Sequence, residues 1–332
     1  MQTAPTYRQS GGDEPLISFI IADYNVPAEL LRECLDSIFA LSLSDGEREV
    51  IVVDDGSTDN PLGDITNYLD KITYVRQRNQ GLSAARNTGL RLAHGRFIQF
   101  VDGDDKLFRP AYEYCLDIIR FKDADMVLFD MTTKDNGGSL PDSADGSEGP
   151  MTGSHIMKHH NLRAAACGYI FRSSMRGNLS FHYGIMHEDE EFTPLLFLRA
   201  EKVYATKAVA YYYRQHHGSI THNNDKRSTV KRLNDTFGVL LTLQARIDTL
   251  PFNERSALQR RIDQLSADYI YNVITLTHDS RYLERCVARM QEHGLFPLPT
   301  TRYTRKYLYF SRMVNSKHGR KLLMAILFAR RR

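Results

Sequence analysis

The sequence predicts an α/β protein: a mostly parallel sheet of the Rossmann-like kind, with helices on both faces and a helical region after it. Three observations carry this. Between Leu16 and Val101, short Ile- and Val-rich runs of strand length alternate with segments of helical spacing. Three of those runs end in polar clusters, Asp23-Tyr24-Asn25, Asp54-Asp55 and Asp102-Gly103-Asp104-Asp105. From about Lys226 onward the strand signals stop and helical spacing takes over.

Leu16 to Ala22 is the first strand, and Ala28 to Leu43 follows as a helix whose Leu31, Leu35, Ile38 and Phe39 share a face. Glu49 to Val53 is the second strand. It runs into Asp54-Asp55-Gly56-Ser57-Thr58-Asp59, a turn cluster suited to cap a following helix. Ile72 to Val75 is a third strand, Leu82 to Ala93 a helix entered through Asn79-Gln80-Gly81, and Arg96 to Val101 a fourth strand. Strand–helix units in series make a parallel sheet, and ligands bind beyond the carboxyl ends of its strands. All three polar clusters stand at such ends. Ala124 to Asp130 and Val203 to Tyr213 read as later strands. Thr132 to Gly153 is Gly/Ser/Asp/Pro-rich without periodicity, a surface loop of the kind that serves as a lid.

The 332 residues suffice for one large α/β domain with an appendage, and the 42% hydrophobic and 25% charged fractions are those of a globular chain. Cys34, Cys115, Cys167 and Cys286 are scattered without a CxxC pair, which suits a reduced compartment. No apolar run approaches the ~20 residues that span a bilayer. The net charge of +3 is unevenly spread. Thr301 to Arg332 holds ten basic residues and no acid, leaving 33 basic against 40 acidic residues elsewhere. Interleaved with Tyr303, Tyr307, Tyr309, Leu322, Ile326 and Phe328, that tail reads as a basic amphipathic segment. Its expected partner is an anionic membrane surface rather than nucleic acid, for which no motif is present.

Carboxylates two apart at a strand end, as Asp102 and Asp104 are, suit a hard divalent cation, Mn²⁺ or Mg²⁺, shared with substrate phosphates. His187-Glu188-Asp189-Glu190-Glu191 heads an apolar helix. Glu at position 191 breaks the HExxH pattern, so a zinc-protease reading fails. Ala22-Asp23-Tyr24-Asn25 stands where a dinucleotide-binding GxGxxG would follow the first strand, so a nicotinamide dehydrogenase is excluded too.

The stretches ISFIIADYNV, EVIVVDDGSTDN, NQGLSAARNTGL and GRFIQFVDGDD, in this order and spacing, resemble the nucleotide-binding half of family 2 glycosyltransferases of the GT-A fold. HEDEEFTPLLF and YYYRQHHGSIT resemble the acceptor-side half of the bacterial polysaccharide and capsule branch. The resemblance covers about Leu16 to His222. It implies a disordered 1–14, a catalytic domain over 15–225 (nucleotide-sugar half 15–105, acceptor half 106–225) and a helical region over 226–332.

It also implies roles. Tyr24 would flank the donor's base, and Asp54 would accept a hydrogen bond from it, with uracil, hence a UDP-sugar, the best match. Asp55 would assist Asp54 or cap the next helix. Gly81, Arg86 and Asn87 would close over the nucleotide. Asp102 would reach ribose or metal, Asp104 would ligate the metal, and His217 or His216 would complete its shell. The family often shows Asp-Ser-Asp-Asp here, and Gly103 leaves the carboxylate spacing intact. Asp189, with Glu188 as the alternative, would be the base that takes the acceptor's proton. One such base implies inversion. The acceptor would be a saccharide, free or lipid-linked, in cell-surface polysaccharide synthesis at the cytoplasmic face of the membrane. A homo-oligomer is compatible with all of this. Competing classes are a metal-dependent nucleotidyltransferase and a non-catalytic carbohydrate-binding scaffold.

Overall fold

The computed structural model describes residues 14–141, 146–215 and 225–329. Residues 1–13 of the expected disordered N-terminus lie outside them, as do His216, His217 and Arg330 to Arg332. The chain forms two compact units. The first is Met1–Glu148 with Cys167–Asn178 and Tyr204–Arg214, and the second is Gly149–Ala166 with Leu179–Val203 and Gln215–Arg332. The division is not a single cut, since 149–166 and 179–203 cluster with the helices that follow residue 225.

The first unit holds β1 (Ile17–Asp23), α1 (Ala28–Phe39), β2 (Arg48–Asp54), β3 (Thr73–Arg76), α2 (Leu82–Leu92), β4 (Phe97–Asp102), β5 (Lys106–Leu107), α3 (Arg109–Phe121) and β6 (Met126–Thr132). β7 (Ser147–Met151) runs across the boundary residue, β8 (Tyr169–Arg172) belongs to the first unit, and so does β9 (Val203–Tyr212) from Tyr204 onward. The sheet runs β3-β2-β1-β4-β8-β6-β9-β5. β3, β2, β1 and β4 are parallel neighbours, and β8 joins β4 antiparallel. In β1, Ile17, Phe19, Ile20 and Ile21 are fully buried. A strand covered on both faces reads as an unbroken apolar run, which is why the sequence displays it. Strand order turns back at β1 and β4, the switch point where α/β sheets open a ligand crevice.

α2 lies against β1 and β2, with Ala85 among Ile51 and Val53. Its approach to β1 requires Gly89, because a Cβ there would stand 2.2 Å from Ile20 Cγ2. Gly89→Ala is therefore expected to destabilise the protein by about 1–3 kcal/mol through overpacking, despite alanine's better helix propensity. An unchanged urea midpoint would show that the helix can step away from the strand.

Three expectations need correction. No α-helix follows Asp54 to Asp59; short 3₁₀ turns at Pro61–Gly63 and Thr66–Tyr68 stand there, and Pro61 and Gly63 suit a tight turn better than a long helix. Thr132 to Gly153 is not loop throughout, since Ser147–Met151 forms β7; a largely exposed strand carries no apolar alternation to reveal it. The first helix ends at Phe39 rather than Leu43, and Cys34 joins its buried face while Phe39 is only half-buried against Tyr68. The spacing announced neither α3 nor β8.

The second unit is helical: α4 (Gly153–His159), α5 (Asp189–Phe197), α6 (Lys226–Arg246), α7 (Phe252–Thr277), α8 (Ser280–Glu292), α9 (Arg305–Asn315) and α10 (Lys317–Ala329). One apolar core joins Phe237 and Leu240 of α6, Ile262, Tyr269 and Ile270 of α7, Leu283 and Met290 of α8, Val314 of α9 and Leu323 of α10. Among the described residues, no helix is long and apolar enough to cross a membrane.

α10 is clamped to α8 by Arg320, whose Nε and Nη2 donate to the two carboxylate oxygens of Glu284 at 2.8 and 2.7 Å. The hydrogen bonds from Arg320 hold Glu284 below the ordinary glutamate range. A depressed folded pKa means the pair adds stability above the unfolded glutamate's pKa and loses it as pH falls through the folded value. The gap in melting temperature between wild type and Glu284→Gln should therefore be present at neutral pH and close in acid. A gap that persists well below the carboxylate range would mean packing, not charge, makes the clamp.

Candidate active site

In the first unit the carboxyl ends of β1, β2 and β4 bring five carboxylates together: Asp23, Asp54, Asp102, Asp104 and Asp105. The register sets Asp23 opposite Asp54 and Ala22 opposite Asp102. Their surroundings differ sharply, and so does what each can do.

Asp54 is fully buried. It accepts from Ser57 N at 2.7 Å and Tyr74 Oη at 2.8 Å, and pairs with Arg76 Nε at 3.3 Å. Both oxygens thus have partners inside the fold, and no part of the residue is exposed. Asp55 does not cap a helix directly after it. It accepts from Gln77 Nε2 (2.7 Å), Gln80 N (3.0 Å) and Gly81 N (2.7 Å), so it holds the entry to α2. Gly81 has φ of +89°, a conformation glycine takes without a Cβ penalty. Arg86 and Asn87 are buried in the first turns of α2. Arg86 Nη2 donates to Asp102 Oδ1 at 2.9 Å, an ion pair between a nearly buried guanidinium and a half-buried carboxylate. Tyr24 keeps half of its surface exposed just past β1, which leaves its ring available for stacking.

Asp102 and Asp104 are both half-buried, with the buried Gly103 between them. The space left by Gly103's missing side chain faces Ala22 O at 3.2 Å, so this glycine lets the turn pack on β1. Asp105 is buried beneath the turn. It accepts from Tyr211 Oη at 2.7 Å and Arg214 N at 2.7 Å, while Arg214 Nε donates to Asp104 O at 2.8 Å. The hydroxyl of Tyr211 in turn accepts from Asp102 N at 3.1 Å. β9 and the residues after it therefore frame the acidic turn from behind. His217 lies outside the described residues.

Two of the five carboxylates are held above the ordinary carboxylate range. Burial, then the neighbouring charge of Asp102, pushes Asp105 up to about 8. Burial, then Asp54, pushes Asp23 up to about 6, and its Oδ2 is buried without a hydrogen-bond partner. Asp23 carries no role in the sequence reading, although its place at a strand end beside the other acids was a signal. Tyr211 opens the YYYRQHHGSIT stretch, but carries no role of its own in the sequence reading. Among the described residues, no three His, Cys, Asp or Glu side chains cluster as a ready-made metal cage. Hard divalent cations need none, since one or two carboxylates plus phosphate oxygens suffice. The oxygen-only donor set and the orphaned Asp23 Oδ2 fit such an ion.

In the second unit, α5 opens on Glu188 at its N-cap position and Asp189, Glu190 and Glu191 in its first turn. The fold separates these adjacent acids. Glu190 pairs with Arg261 of α7, a nearly buried guanidinium that also donates to Leu162 O at 3.1 Å. Glu191 stands 3.5 Å from His182 Nδ1, and burial raises its pKa. Glu188 is buried and Asp189 half-buried. Burial lowers Arg261 to about 10, still charged at neutrality, with Asp268 and Asp189 supporting the charge. Arg261, 71 residues from its partner Glu190, had no signal in the sequence.

Residues 18–174 match the model of glycosyl transferase family 2. The uncharacterised glycosyltransferase EpsJ of Bacillus subtilis is 32% identical over 220 residues, 62% of this chain and 63% of its own length. Glycosyltransferase GlyA of Streptococcus pneumoniae is 32% identical over 223 residues, 62% of this chain and 31% of its own length. The chain thus spans less than two thirds of the length of these curated relatives. Among solved structures, S. aureus TarS 1–349 in complex with UDP aligns with a TM-score of 0.62 and 20% identity over 92% of this chain and 89% of that one. The mannosyltransferase PcManGT of Pyrobaculum calidifontis, in complex with GDP-Man and Mn²⁺, aligns with a TM-score of 0.56 and 15% identity over 96% and 86%. At such identities the likeness shows the fold, which is that of GT-A glycosyltransferases. Motifs, sheet and relatives agree, and residues 18–174 form a glycosyl transferase family 2 region.

Proposed function

We propose that this chain transfers a sugar from a nucleoside diphosphate donor, a UDP-sugar in the first instance, to a saccharide acceptor in bacterial cell-surface polysaccharide synthesis, with inversion at the sugar carbon. The observation that carries the reading is the convergence of Asp23, Asp54, Asp102, Asp104 and Asp105 at the switch point of a family 2 sheet. That concentration of carboxylate calls for a cation, and a diphosphate is the group that shares one.

Asp102 and Asp104 would hold Mn²⁺ or Mg²⁺, with His217 a further candidate. When bound, the ion neutralises charge developing on the diphosphate leaving group. The chain's own residues do the rest. Tyr24 flanks the base. Asp54 keeps Tyr74 and Arg76 in place beside it. Asp55 holds the Gln80–Gly81 turn, so that α2 presents Arg86 to Asp102 in a set orientation. Asp189, with Glu188 as the alternative, takes the proton from the acceptor hydroxyl, the role the family resemblance gives this acidic stretch. A single base and a single displacement turn an α-linked donor into a β-linked product.

The fold leaves the base of the donor to the site, as a UDP complex and a GDP-Man complex share it. A thermal-shift panel of nucleoside diphosphates and their sugars, with Mn²⁺, Mg²⁺ or chelator, tests the reading. A metal-dependent rise of several degrees with UDP and UDP-sugars is expected. No rise with any nucleoside diphosphate in the presence of metal would overturn it. A lipid-linked acceptor would bring the chain to the cytoplasmic face of a membrane.

A further inference from the structure

We propose that the outward face of α10, together with the basic hollow at its base, docks this chain on an anionic lipid bilayer. The helix is amphipathic in an unusual sense, because both of its faces carry apolar residues. One face belongs to the core: Leu323 is buried, and Met324 and Leu327 pack against the same cluster. The other presents Leu322, Ala325 and Ile326 to solvent at i, i+3 and i+4, with Leu322 54% and Ile326 40% exposed. A helix whose only task was to pack on its own unit would carry polar residues there.

The surroundings of that stripe are basic. From Thr301 to Ala329 there are seven Lys and Arg residues and no acid. On α9, Arg305, Lys306, Tyr309 and Arg312 are exposed. A cavity of about 420 Å³ opens beside α10, lined among others by Arg281 of α8, Lys317 and Lys321. Glu284 and Arg320 also line it, but they neutralise each other, so the remaining charge is that of the three cations. Phosphate groups of lipid fit such a hollow, and the adjacent apolar stripe fits the acyl boundary. Exposed basic residues next to exposed apolar ones are the composition of a helix lying in the membrane interface. Nucleic acid would use the cations and leave Leu322 and Ile326 in water. The surface shares no residue with the acidic cluster, so lipid binding by α10 does not depend on the donor chemistry.

Sedimentation of the full chain with vesicles tests it. Phosphatidylcholine vesicles with about a third phosphatidylglycerol should carry the protein down and pure phosphatidylcholine should not, with binding weakened at high salt. Lys317→Glu/Lys321→Glu should lower the partition coefficient about thirtyfold or more, and Leu322→Ser/Ile326→Ser about tenfold or more. Both pairs are exposed, so circular dichroism should be unchanged and metal-dependent hydrolysis of the donor in solution retained. Equal binding by wild type and both variants, or no binding by wild type, would overturn the proposal. So would a wild-type dimer that becomes a monomer in Leu322→Ser/Ile326→Ser without any vesicle binding, which would assign the stripe to a second copy of the chain. Vesicle binding without donor hydrolysis would leave this surface standing and sink the catalytic reading instead.

Discussion

Asp189→Asn is expected to lower sugar transfer by about three orders of magnitude while leaving nucleotide binding untouched, whereas Asp104→Ala should remove both. A positioned base contributes roughly 10²–10⁴ in rate, and the amide keeps the shape of Asp189 while removing its capacity to accept a proton. Asp104 works at an earlier stage. Without it, the acidic turn loses one of the two half-buried carboxylates available to a cation, and the diphosphate loses its counter-charge. Titration of UDP with and without Mn²⁺, alongside turnover, separates the two. Full activity in Asp189→Asn with loss in Glu188→Gln would move the base one residue back. Equal metal-dependent nucleotide affinity in wild type and Asp104→Ala would sink the assignment of the metal.

Arg261→Met is expected to cost about 3–5 kcal/mol of stability, the effect of removing one partner from a buried ion pair. The guanidinium is 3% exposed. It is bonded to Glu190 and to Leu162 O, and it lies within electrostatic reach of Asp268 and Asp189. Burial already raises Asp268, and loss of the cation removes the charge that opposes this. Methionine fills the volume but removes the cation that Glu190 pairs with. Urea unfolding should therefore show a large loss in Arg261→Met and a partial recovery in Arg261→Met/Glu190→Gln. A loss below about 1 kcal/mol would mean that water reaches this pair and screens it as it does surface pairs. If Arg261 also orients α5, Arg261→Lys should lower kcat more than it changes the donor's KM.

Much of the first unit is legible without coordinates. β1, β2 and β4 are covered on both faces, so their apolar runs are unbroken and their ends are marked by the first polar residues. The acids at those ends fall together because parallel strands place every carboxyl terminus on one edge. Position alone brought Asp102 and Asp104 beside Asp23 and Asp54. Position does not reveal which oxygens are occupied. Asp54 stands where the expected base contact stands, yet Ser57, Tyr74 and Arg76 surround its carboxylate. Asp55 holds a turn 25 residues downstream rather than the helix expected after it.

The second unit shows the same contrast. Helical spacing after Lys226 was readable, and so was the basic, apolar character of the tail. Which side of α10 packs and which faces water was not, because both sides carry leucine or isoleucine. By itself, then, the sequence determined the family, the parallel sheet, the edge where its acids gather and the charge of the tail, since each of these is written in local periodicity or in contiguous motifs. Only the tertiary structure decided the partners: Tyr211 with Asp105 across 106 residues, Arg261 with Glu190 across 71, and the solvent-facing stripe of α10. Hydrogen bonds and burial depend on distance in space, and distance along the chain carries no record of it.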